Sequence, residues 1–154
     1  MTRRAFTLVE LAVVIAILAI LSAIAVPRFA AASARRALDA SAQRIVADLR
    51  HARQHALATS APVTVTFDAD TDSYVVAAPS PLGNAASYRV DLTDPPLSCR
   101  ISATTLASSI VAFSAHGLPA NSGDVTIQAG RFSRTISISA GVPAPAVAAP
   151  AEKN

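Results

Sequence analysis

Arg3-Arg4-Ala5-Phe6-Thr7-Leu8-Val9-Glu10-Leu11-Ala12-Val13-Val14-Ile15-Ala16-Ile17-Leu18-Ala19-Ile20-Leu21-Ser22-Ala23-Ile24-Ala25-Val26 is the stretch on which the rest of the chain turns. From Leu11 to Val26 only Ser22 interrupts the aliphatic side chains. With residues 6–10 the run is long enough, at about 1.5 Å per residue, to cross roughly 30 Å of hydrocarbon as a helix. Glu10 stands inside it. An acid within a membrane span is costly unless a partner or a proton relieves it, so Glu10 is a functional candidate whose partner must be named.

Three readings fit an apolar N-terminal run. An ordinary secretory signal would use Arg3 and Arg4 as its basic region, residues 11–22 as its apolar core and Ala23-Ile24-Ala25 as the cleavage site, releasing a secreted β-rich protein. Glu10 opposes it, because a carboxylate stands where that core should begin. A plain anchor for an enzyme is the second reading. Charge cannot orient the span, since Arg28, Arg35 and Arg36 flank its far end as heavily as Arg3 and Arg4 flank the near one. The third reading follows from the motif itself. A short basic leader, a small residue and a Phe-Thr-Leu-Val-Glu start before a long apolar helix resemble the type IV prepilin family. The resemblance implies that a prepilin peptidase cuts between Ala5 and Phe6 and that the new Phe6 amine is methylated. It also implies that Glu10 pairs with the N-terminal ammonium of a neighbouring subunit during filament assembly. The family usually has Gly before the cut; Ala5 is the next smallest side chain, and cleavage is expected to survive it.

The 154 residues leave room for this span and one modest core. A mean hydropathy of +0.43 reflects the anchor and abundant alanine rather than several spans. Cys99 is the one cysteine, so no internal disulfide can form, and its strand-like setting favours a small buried hydrophobe over a nucleophile. Loss of Arg3 and Arg4 would take the formal charge from +3 to +1, too little for a strongly basic nucleic-acid binder.

Beyond Pro27 a helical period resumes. Leu38, Ala42, Ile45, Leu49, Ala52 and Ala56 recur at intervals of four and three, marking one buried face. The opposite face is basic, with Arg28, Arg35, Arg36, Arg44, Arg50 and Arg53 against Asp39 and Asp48. Pro62 predicts a helix end near Thr59-Ser60, and Pro27 predicts a bend or local loosening. Alternating Val63, Val65 and Phe67, a polar turn over Asp68–Asp72 and Tyr74-Val75-Val76 predict a hairpin. Further strands are expected near Tyr88–Leu92, Cys99–Thr104, Ser109–Phe113, Val125–Gln128 and Thr135–Ser139. The expected fold is α+β and type IV pilin-like: a long N-terminal helix, half transmembrane and half amphipathic, with five to seven antiparallel strands packed on its Leu38-Ile45-Leu49 face. Segments are assigned as a leader over 1–5, a transmembrane helix over 6–26 and an amphipathic helix over 27–60. A β-rich periplasmic domain over 61–141 and a disordered Pro/Ala-rich tail over 142–154 complete the chain.

Ala52-Arg53-Gln54-His55-Ala56-Leu57, Pro62-Val63-Thr64-Val65 and Val111-Ala112-Phe113-Ser114-Ala115-His116-Gly117 resemble the GspH/FimT group of minor pilins and pseudopilins. That resemblance implies a non-enzymatic subunit of a type II secretion pseudopilus, anchored in the inner membrane with its N-terminus cytoplasmic. Implied partners are other pseudopilins or pilins, the prepilin peptidase, the inner-membrane assembly platform and secreted cargo. A FimT-like role in pilus assembly or DNA uptake is the alternative. For DNA the candidates are Arg131 and Arg134 flanking Phe132, but no Arg follows Gly141, and exposed strand arginines more often protect an edge. No cofactor or metal is expected. His51 and His55 have helical metal-site spacing but lack the glutamate of a zincin, Asp68-x-Asp70-x-Asp72 lacks the glycine and glutamate of a calcium loop, and His116 sits in a turn. No nucleophile elbow, Walker loop or dinucleotide fingerprint is present, so no catalytic residue is assigned.

Overall fold

The computed structural model describes residues 8–81, 83, 85–142, 145–149 and 151–152. The chain divides into two units, Met1–Ser33 and Ala34–Asn154. Helix α1 (Leu8–Thr59) contributes to both. In the first unit the helix is apolar on all sides, and its large side chains, from Leu8 through Phe29, are exposed. Its most apolar window has a mean hydropathy of 2.8 with nothing buried. A helix of that kind presents a surface suited to lipid, with every backbone group satisfied internally. Helical structure continues through Pro27, although the ring removes one N–H donor.

In the second unit, α1 turns one stripe inward. Leu38, Ala42, Ile45, Leu49, Ala52 and Ala56 are all buried, as their spacing predicts. The helix stops at Thr59, whose hydroxyl donates back to His55 O at 2.8 Å. Ser60 then takes a left-handed φ of 51°, reversing the chain ahead of Pro62.

The strands are antiparallel, as expected, and form two sheets. In the first, β1 (Val63–Asp68) pairs with β2 (Ser73–Val76) and β5 (Ile110–Phe113), and β3 (Tyr88–Asp91) pairs with β2, in the order β3-β2-β1-β5. In the second, β4 (Arg100–Thr104), β6 (Gly123–Ala129) and β7 (Phe132–Ile138) lie in that order. Alternation sets the buried faces. Val63, Val65, Phe67, Tyr74, Val76, Val111 and Phe113 line the first, and Ile101, Val125, Ile127, Phe132, Ile136 and Ile138 the second. The sheets are tied at the β1–β2 turn, where Asp72 Oδ1 accepts the Ile101 N–H at 2.8 Å.

Gly117 secures the far end of the helix. It adopts a φ of 67° beneath Leu57, and an added Cβ would lie 2.8 Å from Leu57 Cγ. Arg53 Nε donates to the Gly117 carbonyl at 3.1 Å, so the loop and the last turn are held together.

Two short described pieces of the Pro/Ala-rich tail lie along β7. Strands β8 (Ala146–Val147) and β9 (Ala151–Glu152) both pair with β7. The physical reason is that the outer edge of β7 carries N–H and C=O groups that any extended backbone can satisfy, whatever its side chains. Composition alone does not register such an edge.

Leu49→Ala is expected to cost about 2–5 kcal/mol of unfolding free energy, through lost burial and the cavity left behind. Gln43→Ala, on the exposed side of the same helix, is expected to stay within about 0.5 kcal/mol. Chemical denaturation of the full chain in micelles, followed by near-ultraviolet circular dichroism, distinguishes them.

Candidate functional site

Glu10 lies in the first turn of α1 and is exposed, amid apolar side chains that are exposed as well. The cleavage and methylation positions Ala5 and Phe6, with Arg3 and Arg4, lie outside the described residues.

A second carboxylate escaped the sequence reading. Asp48 was counted on the basic polar face, yet it is buried, on the flank of the stripe between Ile45 and Ala52. Its Oδ2 accepts from Arg44 Nε at 2.9 Å and from the Tyr74 hydroxyl at 2.5 Å, and its Oδ1 accepts from the Tyr88 hydroxyl at 2.9 Å. Three donors thus compensate one desolvated charge and bolt α1 to β2 and β3. Burial, reinforced by the acceptor at Asp48, pushes the Tyr74 and Tyr88 hydroxyls well above the ordinary tyrosine range. The available signal was Arg44 four residues before Asp48, a helical ion-pair spacing, but an aspartate on a helix is ordinarily solvated.

The DNA candidates separate. Arg134 is not an exposed edge arginine: it shares the inward face of β7 with Phe132 and Ile136, and its side chain is 16% exposed. Its guanidinium meets Asp39 Oδ1 of α1 at 2.6 Å, and its Nε is buried without a hydrogen-bond partner. The cause is the two-residue period of the strand, which places Arg134 beside the helix. Arg131 is exposed at the β6–β7 turn, with its Cζ 5.2 Å from the centre of the Phe132 ring, while Arg35 Cζ lies 4.4 Å from the same ring. Phe132 is therefore a buried anchor under two cations, with Arg134 directed toward the helix.

The remaining candidates are structural. The rings of His51 and His55 stand 6.5 Å apart, and His51 Nε2 bonds to Pro79 O at 2.8 Å. Among the described residues no cluster of three or more His, Cys, Asp or Glu is placed to hold a metal. Asp68 closes the hairpin turn, accepting the Asp70 N–H at 3.0 Å and the Thr71 hydroxyl at 2.6 Å. His116 is exposed in its loop. Cys99 is buried, with its thiol directed at Leu97 O at 3.1 Å, and burial raises its pKa away from a reactive thiolate.

Comparison with known proteins identifies both halves of the chain. Residues 41–141 match the family described as type II transport protein GspH, and residues 1–26 match the prokaryotic N-terminal methylation motif. The fold is similar to that of the type IV minor pilin FimU of Pseudomonas aeruginosa strain PAO1, seen in a crystal structure. The TM-score is 0.52 at 18% sequence identity, covering 75% of this chain and 90% of that one. A search of curated protein sequences finds no match.

The Asp48 cluster gives a signed pH expectation. Because folding raises the tyrosine pKa values, the folded chain holds protons that the unfolded chain releases above about pH 10. The contribution is complete below that pH and is lost as pH rises beyond it. Melting curves from pH 7 to 11 are expected to be flat and then fall, and Tyr74→Phe is expected to flatten the alkaline fall. At pH 7 that substitution should cost about 1–3 kcal/mol by removing one donor from a buried carboxylate.

Proposed function

The chain belongs to the type II transport protein GspH family, within the type IV pilin-like subunits that build filaments and pseudopili, and from that premise we propose that it is a minor pseudopilin of a type II secretion system. It helps to initiate or cap a periplasmic pseudopilus through which folded proteins leave across the outer membrane. The observation that carries this reading is the joining of two matched regions. A methylation-type N-terminus over residues 1–26 leads into the family's domain over residues 41–141.

The mechanism follows from the two ends. A prepilin peptidase cuts between Ala5 and Phe6 and the Phe6 amine is methylated, leaving a cationic terminus close to Glu10. During assembly the Glu10 carboxylate meets that ammonium on a neighbouring subunit, so neither charge is stranded in hydrocarbon. The exposed aliphatic faces from Leu8 to Phe29 then pack against helices of other subunits. The domain stays periplasmic, where sibling pseudopilins, the inner-membrane assembly platform and secreted cargo are its partners. Its work is non-catalytic.

The FimT-like alternative keeps the same filament chemistry and adds pilus assembly or DNA uptake. The fold likeness to a minor pilin is compatible with the pilus version. For DNA uptake, the ion pair between Arg134 and Asp39 weighs against an Arg131–Arg134 phosphate site. Secretion as a released protein predicts a mature terminus at Val26 and leaves the methylation motif without a role.

Mass analysis of the N-terminal peptide from native membranes is expected to show a methylated Phe6; a terminus at Val26 would show release instead. Glu10→Leu is expected to insert normally but enter cross-linked filaments at least tenfold less, with Glu10→Asp intermediate. Wild-type incorporation of Glu10→Leu would remove the charge pairing from the mechanism.

A further inference from the structure

Strand β7 has two neighbours of unequal quality. On one side β6 pairs with it at every position, from Gly123 opposite Ile138 to Ala129 opposite Phe132. On the other side the C-terminal segment pairs in two short pieces, Ala146-Val147 opposite Ser137-Ile136 and Ala151-Glu152 opposite Ser133-Phe132. The register slips between them: three steps along β7, from Ile136 to Ser133, face four along the segment, from Val147 to Ala151. Ala148 N–H spans the gap to Thr135 O at 2.9 Å.

Main chain supplies most of this attachment. Ala146, Val147 and Ala151 are exposed, and alanine contributes little to a sheet surface. Strand β7 does not depend on the segment to stay in place, because Phe132, Ile136 and Ile138 are buried on its inner face and β6 secures its other edge. The connection is also permissive. Gly141 turns at a φ of 74°, and a Cβ added there would meet nothing within 4 Å. Pro145, just ahead of β8, has its φ fixed by its ring. A weakly held strand, a rigid recipient edge and an unconfined pivot are the ingredients of strand exchange.

The occupant best matched to this edge is already known, since Ala146-Val147-Ala148 and Ala151-Glu152 supply the backbone groups and register that β7 accepts. We propose that residues 146–152 of one copy add to β7 of a second copy, so that neighbouring chains exchange C-terminal segments. The same backbone bonds form in either arrangement, and the balance is set by concentration. Anchoring in one bilayer raises the local concentration of copies and favours the exchanged form. Reciprocal exchange closes a pair, whereas one-way exchange leaves a recipient edge at one end and a donor segment at the other. The proposal uses the membrane attachment of the chain but does not depend on which filament it serves.

Ser137 and Ala146 are direct cross-strand partners, a spacing that admits a disulfide. Full-length chains carrying either Ser137→Cys or Ala146→Cys are mixed, reconstituted into phosphatidylcholine vesicles at high protein density and oxidised. Cross-linked peptides are then mapped by mass spectrometry, which also identifies any link through Cys99. The expected result is a disulfide heterodimer joining the two introduced thiols, at least fivefold above a control pairing Gln43→Cys with Ala146→Cys. The double variant Ser137→Cys/Ala146→Cys is expected to close within one chain when diluted in micelles. Closure of the double variant with no excess heterodimer in the mixture would overturn the exchange. Failure of the double variant to close would overturn the register on which the exchange stands.

Discussion

Burial of one stripe of α1, from Leu38 to Ala56, is the constraint on which the β-rich unit depends. The stripe mixes large and small residues, with Leu38, Ile45 and Leu49 filling space and Ala42, Ala52 and Ala56 allowing close approach. Its polar flank is equally determined. Asp48, Ser41 and Asp39 each bind a different part of the β structure: β2 and β3, the Leu97 carbonyl, and Arg134 of β7. A helix rotated by one residue would lose these partners together and bring Gln43 or Ala47 inward.

The chain uses its carboxylates in opposite ways. Asp48 is enclosed and receives three donors from its own chain, so its charge is spent on internal order. Glu10 is exposed on a stretch of helix whose other side chains are apolar and exposed as well. Between these lies Arg134, a cation that the two-residue period of β7 turns inward to Asp39. Residue type alone suggests a surface role for Asp48 and Arg134, and only the local geometry shows otherwise.

Periodicity made much of the fold legible. The stripe of α1, its end at Thr59, the Val63–Val76 hairpin and the approximate positions of β3 to β7 followed from spacing and turn residues, because those signals are local. The division into two sheets was not legible, since pairing β1 with β5 depends on distant segments meeting. Asp48 and Arg134 were misplaced for a related reason: a buried charge is recognised by its partners, and Tyr74, Tyr88 and Asp39 are remote from them in sequence or belong to another element. The motif at the N-terminus was legible because its residues are contiguous and their spacing carries the chemistry.

The pairing of Val63 with Phe113 joins positions fifty residues apart, whereas β6 and β7 are joined by a turn at Gly130-Arg131. These two closures differ in chain entropy, and the longer loop is the slower to form. The β6–β7 hairpin can form as soon as it is made, but β1 keeps an open edge until Phe113 is available. Until Ile110–Phe113 arrives, Val63–Phe67, a strand of alternating Val, Thr and Phe soon after the helix, offers one open edge as a template for mispairing.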